Sequence, residues 1–488
     1  MATITDSYAN HVLHFPDKTA IQTQQHSVSY RDWDINIRKT ANWLDMLHSD
    51  SKTIGIYLPN GIPFLQLFTG AALAGWMGVL FDTKWKEAEL QKRLSVSHPS
   101  VLITNRKLAG NIIHLYPQVL IWEDCFEEIR NTDSARNSHI DGNLPFYMGF
   151  TSGTTGDPKA FIRSHESWVT SFKVNKLDFL MDEREHVLIP GALIHSHFLY
   201  GAISTLFLGG TVYLLEKFYP LQALSIIKNK PITTVFVVPT MVQAFLKQKQ
   251  SFKNPIRMIS SGAKWEENSK RLIRTMFLQL TMFEFYGASE LSFVTFLTDN
   301  EHNLKPESVG KPCHGVELQI RKQDQSIAQP HEIGKIYVKS KMNFSGYLSG
   351  DNSIVKPTGY EEQWITVDDM GYVDEDGFLY IAGREKNMIL YGGINIFPEE
   401  IEKIISLHPD VEEVAVIGCN DPYWGQIVAA VVKGTVFKKD LVRLCKNSLA
   451  AYKIPRKWYF VPDMPYTTSG KIARAQLMAS LESKVMTH

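Results

Sequence analysis

At 488 residues the chain is too long for one hydrophobic core and implies two to four domains of roughly 100–200 residues each. Its composition, 44% hydrophobic and 21% charged, is that of an ordinary globular protein in water, and Lys+Arg balance Asp+Glu at 51 each. That balance excludes a bulk field for nucleic acid or an anionic membrane, so any anion site must be built locally.

In chain order, Met1-Ala2-Thr3-Ile4-Thr5-Asp6 lacks the basic and apolar regions of a signal peptide. Residues 53–58 and 101–104 read as short strands, as do 211–215 and 234–238. Residues 241–249 and 270–280 have helical spacing between and after them. The alternation predicts an α/β architecture with largely parallel sheets. Two stretches, 61–81 and 187–215, carry no Asp, Glu, Lys or Arg. The first is interrupted by Pro63 and several glycines, the second by Pro190, His195, Ser196 and His197. Both are therefore expected to be buried helix and strand, and no integral membrane segment is expected. The four cysteines (Cys125, Cys313, Cys419, Cys445) form no C-x-x-C pair and suit reduced thiols in a cytoplasmic protein.

From about Asn343 turn-rich segments take over, and a compact α+β tail of about 100 residues follows. Its expected elements are a helix at 398–406, strands at 411–417 and 427–432, a helix at 439–449 and a last run at 458–461. The expected division is a large N-terminal domain of layered α/β subdomains, residues 1–385, and a small C-terminal domain, residues 386–488.

The segment Phe150-Thr151-Ser152-Gly153-Thr154-Thr155-Gly156-Asp157-Pro158-Lys159 carries the strongest chemical signal. Its glycines let the backbone approach a ligand, its hydroxyls and N–H groups can ring an anion, and Lys159 adds a point charge. It is not a Walker A loop, because Pro158 stands where G-x-x-x-x-G-K needs its second glycine. Further on, Tyr286-Gly287-Ala288-Ser289-Glu290 sets a carboxylate behind a glycine turn, a common Mg²⁺ ligand where phosphates share the site. Tyr286 could cover a purine face.

The phosphate-loop decapeptide resembles that of the adenylate-forming superfamily, which includes acyl-CoA synthetases, adenylation domains of peptide synthetases, and luciferases. Five further segments match in order. Pro190-Gly191-Ala192-Leu193-Ile194-His195-Ser196-His197-Phe198-Leu199 resembles the gate of the acyl pocket, and the distance to Gly209-Gly210 favours His195 as the gate. Tyr286 to Glu290 resembles the Tyr-Gly-x-Thr-Glu segment. Val367-Asp368-Asp369-Met370-Gly371 resembles Thr-Gly-Asp-x-Gly, with Asp369 as the ribose carboxylate and Asp368 as its rival. Gly383-Arg384-Glu385-Lys386-Asn387 and the following Gly392-Gly393 resemble the hinge, and Thr468-Ser469-Gly470-Lys471 the adenylation lysine motif.

The resemblance implies an AMP-forming acyl-CoA synthetase that uses ATP, Mg²⁺ and coenzyme A on a small-molecule carboxylic acid. By it, Thr151, Ser152, Gly153, Thr154, Thr155, Gly156 and Lys159 would hold the pyrophosphate end. Gly262, Ala263, Tyr286, Gly287 and Ala288 would flank the adenine, and Ser289 would meet the α-phosphate. Glu290 would hold Mg²⁺, Asp369 and Arg384 the ribose, and Lys471 the reacting centre. Lys386 would be the pivot of a mobile lid, and Gly393 would leave room for the thiol arm. His195, Ser196, Phe198 and Leu199 would line the acid's pocket. Relatives that activate amino acids carry Asp after the gate; Ser196 stands there, which argues against an amino acid, and Phe198, Leu199 and Ser196 together suggest an uncharged, largely apolar pocket for a fatty acid, with an aryl acid second. Lys264 has no role by this reading. A carrier-protein acceptor, luciferase-type oxygenation and a catalytically dead binding protein are the alternatives.

Overall fold

The structure is a computed structural model, and it describes residues 2–47, 49, 51–136, 139–152, 158–262, 264–265, 267–349, 353–356, 362–392, 394–466 and 472–485. The chain divides into two compact units. The first comprises Met1–Thr151, Pro158–Leu318 and Val338–Ile365, and the second comprises Ser152–Asp157, Gln319–Tyr337 and Thr366–His488.

The first unit is α/β, as the alternation predicts. One sheet aligns Thr19–Gln22, Thr211–Leu214, His186–Ile189, Thr234–Val237, Ile256–Ser260 and Leu280–Ala288, all parallel. Ser292–Thr298 then adds antiparallel to Leu280–Ala288. A second sheet orders Val119–Ile121, Val101–Thr104, Thr53–Tyr57, Met77–Leu80 and Pro145–Ser152 in parallel. Pro158–Ser164 lies beside Pro145–Ser152, and Gly346–Leu348 pairs antiparallel with Pro158–Ser164. The inner strands are buried on both faces, which explains their unbroken runs of Val, Ile and Leu.

Both uncharged stretches resolve into core. Residues 61–81 become the helix Ile62–Leu73, with Pro63 in its first turn, and the strand Met77–Leu80. Gly75 at φ 72 makes the reversal between them. Residues 187–215 become a strand, the helix Ser196–Leu208 and a second strand, with Gly209 closing the helix in the left-handed region. Among the described residues no helix is long and apolar enough to cross a membrane. The expected helix at 270–280 instead spans Glu267–Met276, since Leu280 already begins a strand.

In the second unit, Val411–Asp421 and Gly425–Gly434 form a long antiparallel hairpin, and Lys457–Phe460 adds parallel to it. Helices Pro398–Ile405 and Lys438–Ser448 cover one side, with Ile401, Ile405, Leu441 and Cys445 in the core beneath them. A last helix, Arg474–Val485, which the sequence reading did not anticipate, sets Leu477 and Leu481 against Ala415 and Ile417. The hairpin Asp369–Val373 with Leu379–Arg384 belongs to the same unit, and Gly383 lies against Phe397 and Glu399.

Two histidines, His165 buried and His197 half-buried among aromatic rings, make stability depend on pH. His165 stacks on Phe146 at 4.7 Å, and His197 donates from Nε2 to the Val237 carbonyl at 3.0 Å. Burial pushes each from 6.5 down to about 4. The unfolded chain therefore binds these protons at higher pH than the folded one. The stability they contribute above pH 6.5 is expected to fall away as the pH drops through about 4. Urea midpoints of wild type and His165→Phe across that window check this: the variant should show the shallower pH dependence, and parallel curves would contradict it.

Candidate active site

In the first unit, the strand Leu280–Ala288 delivers Tyr286 near its end. Its register with Ser292–Thr298 slips between Tyr286 and Gly287. A Cβ at position 287 would lie 2.0 Å from the Ser292 carbonyl, so only glycine lets the strands stay this close. The turn that follows carries Ser289 and Glu290. Glu290 is 8% exposed, its Oε1 accepts from the Tyr347 hydroxyl at 2.9 Å, and its carbonyl accepts from the Phe344 N–H at 2.7 Å.

Arg163 fixes this turn from behind. The side chain is buried, and Nη1 donates to the Ser289 carbonyl at 2.8 Å, Nη2 to the Met342 carbonyl at 2.6 Å and Nε to Ser167 Oγ at 3.2 Å. Burial pushes its guanidinium down to about 10, far above working pH, so the charge persists. Lys159 stands on the same strand as Arg163, with Nζ 5.5 Å from the Tyr347 ring centre. The pairing of Tyr347 with Phe161 thus brings Lys159, Tyr347 and Glu290 into one neighbourhood. Beside Lys159 and Tyr347 opens a cavity of about 360 Å³, walled also by Ser95, His98, Pro158 and Leu348.

Thr151 lies at the end of the strand Pro145–Ser152. Gly153, Thr154, Thr155 and Gly156, and the side chain of Ser152, lie outside the described residues, as do Ala263, Gly393 and Lys471. Gly262 adopts φ 93, in the left-handed region. The loop it opens is tied to the Tyr286 strand by a buried network. The Trp265 N–H donates to Glu284 at 3.2 Å, Lys270 pairs with Glu284, and Lys270 donates to His302 Nδ1 at 2.9 Å. Lys264, unexplained by sequence, pairs with Glu307 at 3.4 Å.

In the segment that sequence offers as the gate, His195 is the exposed N-cap of the helix Ser196–Leu208, and Ser196 Oγ lies 3.2 Å from the Tyr147 hydroxyl. Phe198 and Leu199 are buried, and the Phe198 ring occupies the space that a Cβ on Gly191 would take. His197 is packed among the rings of Phe198, Phe236 and Phe285, at 4.9, 5.2 and 5.7 Å. Its Nε2 is committed to the Val237 carbonyl, so the two nearby histidines differ sharply in setting.

In the second unit the ladder places Asp369 opposite Arg384, and Arg384 Nε reaches Asp369 Oδ1 at 2.9 Å. Asp369 is 6% exposed, whereas the Asp368 side chain is 56% exposed and turned to Lys335. Position 368 sits at φ 64, where glycine is at ease and Asp is better tolerated than most residues. Lys386 lies in the turn Glu385–Asn387, and Asn387 Nδ2 donates to Glu399 at 3.2 Å. The two carboxylates that sequence left as rivals are thus distinguished by partner and by burial.

Sequence reasoning missed Arg163, Tyr347 and Lys335. Arg163 had a usable signal, a lone cation directly after the apolar Ala160-Phe161-Ile162. Tyr347 and Lys335 had none, since only tertiary pairing brings them to Glu290 and Asp368.

The pattern of the AMP-binding enzyme family spans residues 8–348, and that of the AMP-binding enzyme C-terminal domain spans residues 400–471. The chain belongs to the AMP-binding enzyme family. It is 46% identical to the uncharacterized acyl–CoA ligase YhfT of Bacillus subtilis strain 168, over 99% of both chains. It is 34% identical to the putative long chain fatty acid–CoA ligase VraA of Staphylococcus epidermidis, over 72% of this chain and 74% of that one. It superposes on an o-succinylbenzoate coenzyme A synthetase of Bacillus subtilis, solved with ATP and magnesium ion, with a TM-score of 0.86 and 25% identity over 96% of this chain and 98% of that one. The protein is an AMP-forming acid–thiol ligase, an acyl-CoA synthetase that works with ATP, Mg²⁺ and coenzyme A.

The residues present fit the metal. Mg²⁺ takes hard oxygen ligands and is usually held through one or two carboxylates together with substrate phosphates. Glu290 offers such an oxygen, oriented by Tyr347.

Removing Arg163 should release the Ser289–Glu290 turn and strand two buried carbonyls, at about 1–3 kcal/mol each. Arg163→Met is expected to lower the urea midpoint and to raise KM for MgATP more than KM for the acid. An unchanged KM for MgATP in a folded variant would contradict the positioning role.

Proposed function

We propose that the protein activates an uncharged, largely apolar carboxylic acid, a fatty acid first of all, and transfers it to coenzyme A. The observation that carries this reading is the wall beyond His195, where Ser196 meets Tyr147 and the rings of His197, Phe198, Phe236 and Phe285 follow. No carboxylate follows His195 directly to hold an ammonium group, which argues against an amino acid. The likeness to a putative fatty acid–CoA ligase agrees. An aryl acid is the second reading, favoured by the same ring cluster and by the o-succinylbenzoate-activating relative.

In this reading residues 1–385 bind acid and nucleotide and residues 386–488 form the lid. Tyr286 packs on adenine with Gly262, Ala263, Gly287 and Ala288 around it, Ser289 meets the α-phosphate, and Asp369 with Arg384 holds the ribose. Glu290 holds Mg²⁺, which neutralises phosphate charge when bound. Thr151, Ser152, Gly153, Thr154, Thr155, Gly156 and Lys159 grip the pyrophosphate end. One carboxylate oxygen of the acid attacks the α-phosphorus, the bond to pyrophosphate breaks, and acyl-AMP remains. Lys471 lies between the two approaching anions and offsets their repulsion.

The lid then turns about Lys386, withdrawing Lys471 and bringing up the loop at Gly393, where a side chain would block the thiol arm. The thiol sulfur attacks the acyl carbonyl, its proton is lost, and AMP leaves with the bridging oxygen. A carrier-protein thiol in place of coenzyme A is the alternative acceptor, and thioester formation with free coenzyme A separates the two.

Lys471→Ala is expected to cut acid-dependent ATP–pyrophosphate exchange at least about 100-fold, yet to spare thioester formation from supplied acyl-AMP. Gly393→Leu should do the reverse. Equal loss of both half-reactions in either variant would contradict the two-position scheme. Pyrophosphate release across a panel of fatty, aryl and amino acids tests the acid: fatty acids should lead, and an amino acid leading would overturn the reading.

A further inference from the structure

Behind the Asp369–Arg384 pair lies a second cluster of charges that the reaction scheme leaves unused. Lys335 Nζ stands 2.6 Å from Glu385 Oε2 and 3.4 Å from Asp368 Oδ1. The Glu385 N–H donates to the Asp368 carbonyl at 2.9 Å, so backbone pairing alone brings the two acidic residues side by side. Asp369 and Asp368 are neighbours in sequence, as are Arg384 and Glu385, yet the partners are sorted: Asp369 takes Arg384, and Lys335 takes both of the others.

The arrangement is held from several sides. Lys335 pairs in register with Met370, and Gly334 with Gly371. Asp368 is set in the left-handed region, with its N–H donated to Thr366 Oγ1 at 3.1 Å. Burial works against the Lys335 charge, but the hydrogen bond and charge of Glu385, joined by Asp368, outweigh it and raise the ammonium above its ordinary range. Glu385 is the residue just before Lys386 and begins the turn Glu385–Asn387, while Asn387 on the other side of Lys386 is tied to Glu399. The chain is thus gripped immediately before and immediately after one residue.

We propose that Lys335 is a positioning residue for the hinge: by holding Glu385 against Asp368 it fixes the chain ahead of Lys386, so that the lid's turn is confined to that residue. This rests on the reading of Lys386 as the pivot. Without the lysine, two carboxylates face each other uncompensated and the base of the hinge loosens. Exchange of pyrophosphate needs no turn of the lid, whereas thioester formation after adenylation does.

The test measures acid-dependent ATP–pyrophosphate exchange and full turnover to acyl-CoA on the intact enzyme. Lys335→Met should lower full turnover relative to exchange by roughly two- to five-fold, the range for a partly exposed ion pair. Lys335→Arg should restore the ratio. Glu385→Gln, a smaller change that removes the tighter pairing from the other side, should lower the ratio in the same direction. A merely structural role would move both rates together. Lys386→Pro, which fixes φ at the pivot, separates the two ideas. If it changes the ratio while Lys335→Met and Glu385→Gln do not, the role of Lys335 is overturned and the pivot stands. If Lys386→Pro leaves the ratio unchanged too, the pivot itself fails, and the role of Lys335 with it.

Discussion

A guanidinium sealed from water, with only neutral oxygens as acceptors, holds the Ser289–Glu290 turn. Arg163 reaches across to the Ser289 and Met342 carbonyls and joins stretches of chain far apart in sequence. A buried cation of this kind is costly unless every donor finds an acceptor. Its placement therefore dictates where the turn and the segment leading to Tyr347 must lie. Glu290 inherits that placement, since Tyr347 orients its carboxylate and the Phe344 N–H secures its backbone.

The chain carries no net charge, so the handling of a polyphosphate and a carboxylate falls to single, well-fixed groups. The second unit follows the same logic with different residues. Asp369 and Arg384 face each other across a ladder, and the two flanking carboxylates are drawn off by Lys335. Arg384 is thereby spared competition from Asp368 and Glu385. Glycine supplies the clearances where backbones must meet, at Gly287 against Ser292 and at Gly383 against Phe397 and Glu399.

Much of the fold was legible because its strands are short, apolar and buried on both faces, so Thr53–Tyr57, Val101–Thr104 and Thr234–Val237 stand out from their surroundings. The helix Arg474–Val485 was not, because its apolar residues face a hairpin that sequence cannot place beside it. At the site, contiguous motifs were readable: Tyr286 to Glu290 carries its own turn and carboxylate. Phe198 and Leu199 were expected at a pocket wall and turn out buried, with Phe198 packed where Gly191 leaves room. Lys335 and Tyr347 were invisible, since a residue that acts through a cross-strand neighbour leaves no local pattern. Asp368 and Asp369 differ in burial and in partner, a difference that adjacent identical residues cannot reveal.

The central claim is that the acid's own oxygen forms the bond to the α-phosphorus before the thiol arrives. Carboxylic acid labelled with heavy oxygen, turned over with ATP and coenzyme A, tests it most directly by mass spectrometry of the products. The account predicts one labelled oxygen in AMP and none in pyrophosphate. Unlabelled AMP, or label appearing in orthophosphate, would contradict it.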